Sequence, residues 1–140
     1  MAITFGPTKW HPSYQEFVIQ TASLGDVVLG GFLVYRNGGS AWIVAPSSTE
    51  VSRDWYSRDD AATTANANAA CGDWFIPNCN QMQTIGAAYK SYWDHNSGLY
   101  WTSSEYDGSF ARVFCLQTSN PEIRCKTFVL SARAMRCVAY

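Results

Sequence analysis

Val27-Val28-Leu29-Gly30-Gly31-Phe32-Leu33-Val34-Tyr35-Arg36, then Asn37-Gly38-Gly39-Ser40, then Ala41-Trp42-Ile43-Val44-Ala45-Pro46, is the stretch that decides the fold class. Two runs rich in β-branched and aromatic residues flank an Asn-Gly pair, the strongest short-range hairpin signal, because both central turn positions need positive φ. A hairpin is therefore expected here. Gly30-Gly31 inside the first run predicts a bulge or a close approach of another backbone.

Downstream, Val51 to Arg58 is a polar and aromatic loop containing Asp54, Trp55 and Tyr56. Asp59-Asp60 followed by an alanine-rich run to Cys71 predicts a short helix ending at Gly72, acidic where the helix dipole is positive and small enough to lie close on a sheet. Asp73-Trp74-Phe75-Ile76-Pro77 is an apolar knot, and Trp74 is read as core. Asn78 and Gln81 have the spacing of a capping box. Met82, Ile85, Tyr89, Tyr92 and Trp93 then recur at helical spacing, so a second helix is expected from about Cys79 to Trp93, its stripe packed inward. Asp94 to Gly98 ends it, with His95 an exposed turn residue.

Gly98-Leu99-Tyr100-Trp101-Thr102-Ser103-Ser104-Glu105-Tyr106-Asp107 follows. Apolar aromatics lead into hydroxyls and then into a carboxylate and a phenol, so one end can be buried while the other offers hydrogen bonds. Trp101 is read as core. The remainder reads as strands at Tyr100 to Ser104, Phe110 to Gln117, Glu122 to Phe128 and Ala132 to Tyr140. In the third, Ile123, Cys125 and Thr127 alternate with Glu122, Arg124 and Lys126, the pattern of a half-buried strand with the first set inward. Thr118-Ser119-Asn120-Pro121 is the expected turn, and centring the hairpin there puts Cys115 and Cys125 nearly opposite, able to bond if oxidised. A reducing cytosol would keep them apart.

Upstream, residues 1–25 hold Pro7, Pro12 and only a short apolar patch at Phe17, Val18 and Ile19, and are read as an extended arm rather than a helix. The remaining 26–140 are read as one domain, a size that buries a core without metal or cofactor. Charged residues make up 15 % and aromatics 15 %, which excludes disorder and implies more aromatic surface than usual. A net charge of -1 without basic runs argues against nucleic acid as a partner. The first residues lack the basic start and apolar core of a secretory signal, so synthesis and retention in the cytosol, or release by lysis, are expected. The apolar run Val27 to Tyr35 is too short to insert across a bilayer. Five cysteines, Cys71, Cys79, Cys115, Cys125 and Cys137, leave one odd if the rest pair, and none forms a Cys-x-x-Cys motif. With His11 and His95 far from every cysteine, no zinc site is expected.

Gly25 to Val34, Trp42 to Pro46, Asp73 to Pro77, Tyr100 to Tyr106 and Ala132 to Val138 resemble, in the same order, the blocks of the DUF1566 family, which belongs to the C-type-lectin-like superfamily and is similar to the C-terminal domain of the Legionella collagen-like adhesin. The resemblance spans about residues 25–140. It implies an α+β, C-type-lectin-like fold: antiparallel sheets, two flanking helices, paired first and last strands, and a small second sheet carrying the ligand-facing surface. It also implies two disulfides in secreted members, here Cys71 with Cys137 and Cys115 with Cys125, leaving Cys79 odd. Glu-Pro-Asn, Gln-Pro-Asp and Trp-Asn-Asp triplets are missing, so the calcium-dependent sugar site of true C-type lectins is not expected. Met135-Arg136-Cys137-Val138 resembles the closing strand of formylglycine-generating enzymes, but the close pair of reactive cysteines their chemistry needs is missing, and no activated nucleophile stands beside a base. No enzyme, no metal and no cofactor is expected.

Members of the superfamily decorate bacteriophage particles or bind their receptors. The resemblance therefore implies a non-enzymatic virion protein, a capsid-decorating or fibre-tip domain at the virion surface. Its arm would dock on viral capsid or tail proteins while its outer face binds a host-surface glycan or protein; a homo-oligomer is compatible with that role. The alternative is a bacterial adhesin-like module, secreted or on the cell surface, that binds glycans or glycosaminoglycans. The candidate contact residues are Glu105, Tyr106, Asp107 and Arg112, with Trp55 and Tyr56 as an aromatic platform, since aromatics beside charges are common in recognition surfaces.

Overall fold

The computed structural model describes residues 14–68, 73–89 and 98–140, and within them the fold is mixed helix and sheet, mostly β. Cys71, His95, Tyr92 and Trp93 lie outside the described residues. Among those described, no helix is long and apolar enough to cross a membrane.

The expected hairpin forms from β2 (Gly31–Asn37) and β3 (Ser40–Val44), paired from Phe32↔Val44 to Asn37↔Ser40. Its turn is closed by a side chain: Asn37 Oδ1 accepts from the N–H groups of Gly39 and Ser40 at 3.2 and 3.0 Å. Positive φ falls instead at Leu29 (49°) and Gly30 (93°). There it makes a second, earlier two-residue turn that folds β1 (Val27–Val28) back onto β2, so the single first strand expected from sequence is two strands. Arg136 Nη1 donates to the Leu29 carbonyl at 3.0 Å and helps to hold this turn. Gly31 is the expected close approach, since a Cβ there would meet the Val44 carbonyl oxygen at 2.2 Å.

β9 (Met135–Ala139) pairs antiparallel with β3, giving the sheet order β1-β2-β3-β9. The expected pairing of first and last strands is thus corrected: β9 pairs with β3, and β1 lies at the opposite edge of the sheet. Both faces of this sheet are covered: Leu33, Ile43 and Val138 enter one apolar cluster, and Val34, Val44 and Met135 enter another. Strands buried on both faces read as near-continuous apolar runs, as Phe32-Leu33-Val34 does in β2, whereas Val27 in β1 stays 72 % exposed.

The second sheet has the order β4-β8-β5-β6-β7, from β4 (Val51–Arg53), β8 (Leu130–Ala132), β5 (Leu99–Glu105), β6 (Phe110–Cys115) and β7 (Asn120–Cys125). Its pairs are antiparallel apart from β5 with β8, which meet in parallel at Tyr100↔Ser131. Glu50 ties the layers, its Oε1 accepting from Tyr100 Oη at 2.6 Å and from the buried Arg133 at 2.9 Å.

The late hairpin corrects three expectations. It turns at residues 116–119, with Ser119 at φ 57°, so Cys115 faces Asn120 and Cys125 faces Phe110 at opposite ends of the ladder. Cys115 and Cys125 are free thiols in this register, as are Cys79 and Cys137. Asn120 and Pro121, read as turn residues, belong to the strand; Pro121 is tolerated because β7 lies at the sheet edge. The inward and outward sets are also reversed, with Ile123 37 % exposed and Lys126 buried.

Three α-helices among the described residues complete the fold. α1 (Tyr14–Thr21) replaces part of the expected extended arm: Ile19 is fully buried, and Arg36 Nη1 donates to the carbonyls of Ile19 and Ala22 at 2.5 and 2.6 Å, satisfying groups that a helix C-terminus leaves open. Residues 1–13 of that arm lie outside the described residues. α2 (Asp60–Asn68) lays Ala61, Ala62 and Ala65 against the first cluster, and α3 (Cys79–Tyr89) lays Met82 and Ile85 into the second. The capping box forms as read, Asn78 N–H donating to Gln81 Oε1 at 2.9 Å and Gln81 N–H to Asn78 Oδ1 at 2.8 Å. Phe75 exchanges two backbone hydrogen bonds with Met135, so the apolar knot becomes a bridge onto β9, and Trp74 is buried beside it.

Candidate recognition surface

The β5–β6 turn, the 3-10 turn at Trp55–Ser57 and the loop after β7 meet at one end of the second sheet. Asp54 starts the 3-10 turn by accepting the Ser57 N–H at 3.0 Å. Trp55 is then fixed from two sides: its N–H donates to the Lys126 carbonyl at 2.9 Å, and its indole Nε1–H to the Thr102 carbonyl at 2.9 Å. Trp55 is therefore buried, while its neighbour Tyr56 stays 60 % exposed and meets it edge-on at 5.8 Å between ring centroids. Of the expected platform, Tyr56 offers surface and Trp55 supports it.

Two cations lie over that support. Lys126 Nζ sits 4.6 Å from the Trp55 ring centroid and 5.9 Å from that of Tyr56, and the Arg58 guanidinium sits 3.9 Å from Trp55. Desolvated cation–π contacts of this kind contribute up to about 2 kcal/mol. Lys126 also pairs with Glu105 at 2.5 Å, and so joins Glu105 to the Trp55–Tyr56 turn. Neither Lys126 nor Arg58 stands out as a contact residue in the sequence. Strand alternation pointed Lys126 outward, whereas the three-residue spacing of Trp55 and Arg58 was a usable signal for the second.

Tyr106 and Arg112 form a separate pair, the guanidinium 5.4 Å from the phenol ring. Glu105 is registered with Ala111 and Arg112 with Ile123, so alternation sets Glu105 and Arg112 on opposite faces of the sheet end. Beside Arg112 lies Cys79, whose N–H donates to Ser104 Oγ at 3.0 Å. Burial pushes the Cys79 thiol above its ordinary value, and the Arg112 charge partly offsets this. Asp107 has an architectural position: its Oδ1 accepts from the N–H groups of Ser109 and Phe110 at 2.8 and 2.9 Å and closes the β5–β6 turn.

The rim is aromatic and apolar. Tyr56 and Tyr106 are exposed, as are Phe128 and Val129 in the loop just beyond Lys126. Such a surface can stack on flat apolar faces and donate hydrogen bonds from its phenols and cations. Among the described residues no group of three or more His, Cys, Asp or Glu side chains gathers as metal ligands would. Neither a family model nor any curated protein matches the chain.

Proposed function

We propose that the chain is a non-enzymatic recognition domain of C-type-lectin-like build, carried on a bacteriophage particle as a capsid-decorating or fibre-tip protein, and that it binds a host-surface glycan or protein. The last strand pairing with the opening hairpin, helices α2 and α3 on the sheets, and a second sheet bearing the exposed aromatics all support the lectin-like part. The setting on a phage particle rests on the sequence resemblance.

The observation that carries the binding role is the immobilised aromatic end of the second sheet. Tyr56 projects from a turn whose backbone is held through Trp55 by Thr102, Lys126 and Arg58, so the turn itself has little freedom left to lose when a ligand stacks on the ring. Preorganised aromatics with an adjacent cation are the usual energetic centre of recognition surfaces.

The test is binding of the purified chain to host cells and to immobilised glycans, with Tyr56→Ala and Tyr106→Ala as variants. Each exposed ring is expected to contribute about 1–2 kcal/mol, a roughly five- to thirtyfold loss of affinity, with folding unchanged. Wild-type binding by both variants would remove this surface from consideration. Co-sedimentation with phage particles tests the setting separately, and capture by sulfated glycosaminoglycans alone would favour the adhesin reading.

A further inference from the structure

β7 closes one side of the second sheet, and among the described residues no strand pairs with its outer edge. The Lys126 N–H donates to the Ser109 carbonyl at 3.0 Å, toward β6. Backbone groups alternate along a strand, so Arg124, Glu122 and Asn120 also turn theirs toward β6, and Cys125 and Ile123 turn theirs outward. Pro121 falls in the outward set, where it has no N–H to leave bare. The Ile123 carbonyl points the same way and accepts from the Arg124 guanidinium at 2.9 Å.

We infer that this edge pairs antiparallel with the same edge of a second copy of the chain, about a two-fold axis through Ile123. In that register the two Ile123 residues face each other and exchange both backbone hydrogen bonds, while each Cys125 N–H reaches the Pro121 carbonyl of the other copy. Glu122 then faces Arg124 of the second copy, and Arg124 faces its Glu122. The sequence Glu122-Ile123-Arg124 is self-complementary in charge under a two-fold, which is the condition an isologous interface imposes. Edges are commonly blunted by lysines, proline or bulges; here Pro121 removes one outward N–H, while the acid and the base that flank Ile123 complement those of a second copy.

The side chains agree. Glu122 and Arg124 pair with each other at 2.5 Å, each 32 % exposed, so across the axis they exchange one partner for an equivalent one. Ile123, 37 % exposed, shares a face with Phe110, 38 % exposed, its diagonal neighbour across the ladder, and the two Ile123 side chains would meet on that face at the axis. The paired sheets would hold ten strands, and both recognition surfaces would belong to one particle, doubling the valency of any weak ligand contact.

Sedimentation velocity across a concentration series tests this directly. The wild-type chain is expected to show a monomer–dimer equilibrium. Glu122→Arg and Arg124→Glu should each weaken self-association by about tenfold or more, since each reversal turns two cross-strand attractions of about 0.2–1 kcal/mol into repulsions. The double variant, Glu122→Arg with Arg124→Glu, should regain wild-type association, and an equimolar mixture of the two single variants should form mixed dimers. A wild-type chain that stays monomeric overturns the inference, as do single variants that dimerise normally or a double variant that fails to recover.

Discussion

Lys126 Nζ lies 2.5 Å from Glu105 Oε2 in an ion pair whose lysine side chain is 3 % exposed and whose glutamate side chain is 56 % exposed. The two partners are unequal in consequence. Removing the carboxylate leaves an ammonium buried over Trp55, while removing the ammonium leaves a carboxylate that water can solvate. Glu105→Gln is expected to destabilise the fold by about 1–2 kcal/mol, kept from being larger by solvent around the exposed carboxylate. Lys126→Met keeps a long apolar stem against the ring and should cost less. Denaturant titrations of both variants decide it, and a larger loss for Lys126→Met would contradict this account.

Gly31 is fixed chiefly by a backbone carbonyl, with one side chain beside it. A methyl group there would meet the Val44 carbonyl oxygen at 2.2 Å and Ile43 Cγ2 at 2.9 Å, whereas one at Gly38 meets nothing within 4 Å. Val44 is held in the β3–β9 ladder and cannot step aside cheaply. Gly31→Ala is therefore expected to cost about 2–3 kcal/mol, as overpacking does, and Gly38→Ala less than about 0.5 kcal/mol, as neutral surface changes do. Thermal melts in which the two variants behave alike would refute the distinction.

Much of this was legible because local rules governed it. The β2–β3 hairpin, the Asn78–Gln81 capping box, the alanine face of α2 and the burial of Trp74 and Trp101 all follow from neighbours in sequence. The structure departs from these local rules where tertiary partners outweigh them. α1 has weak apolar patterning of its own and is secured by Arg36, a residue of β2. The positive-φ turn moved to Leu29-Gly30, where a leucine gives no warning and Arg136 from the last strand holds the carbonyl.

The same holds for the recognition surface. Tyr56, Tyr106, Glu105 and Arg112 could be named from residue type, but the sheet end has two faces and nothing in sequence divides them. Alternation points Lys126 to solvent because it assumes that the apolar set faces the core. On β7 the edge position leaves Ile123 outside and brings Lys126 over an indole, where a carboxylate and a π face offset its desolvation.

Asn78 offers a clean measure of local stabilisation. Its side chain serves only the start of α3 among the described contacts, accepting from Gln81 N–H at 2.8 Å, and it is exposed, so substitution leaves no cavity. Asn78→Ala should lower stability by about 1 kcal/mol, and Asn78→Asp should retain most of it. Equal stability of the alanine and wild-type chains in urea would show that the cap is not needed.

Cys79 and Cys137 provide paired tests with opposite signs. Burial raises both thiols above 9.0, the ordinary value; Arg112 partly lowers Cys79, and Asp73 raises Cys137 further. Removing Arg112 withdraws a charge that favours the Cys79 thiolate, so Arg112→Leu should slow its alkylation by iodoacetamide at mildly alkaline pH. Asp73→Asn removes a charge that opposes the Cys137 thiolate and also releases Arg136, which pairs with Asp73 at 2.8 Å, so Cys137 should react faster. Peptide mapping of the modified chain reads both sites in one sample. Because the folded chain holds these protons more tightly than the unfolded one, their linkage leaves stability intact below pH 9.0 and erodes it as pH rises beyond. Rates moving in the same direction in the two variants would contradict the assigned charges.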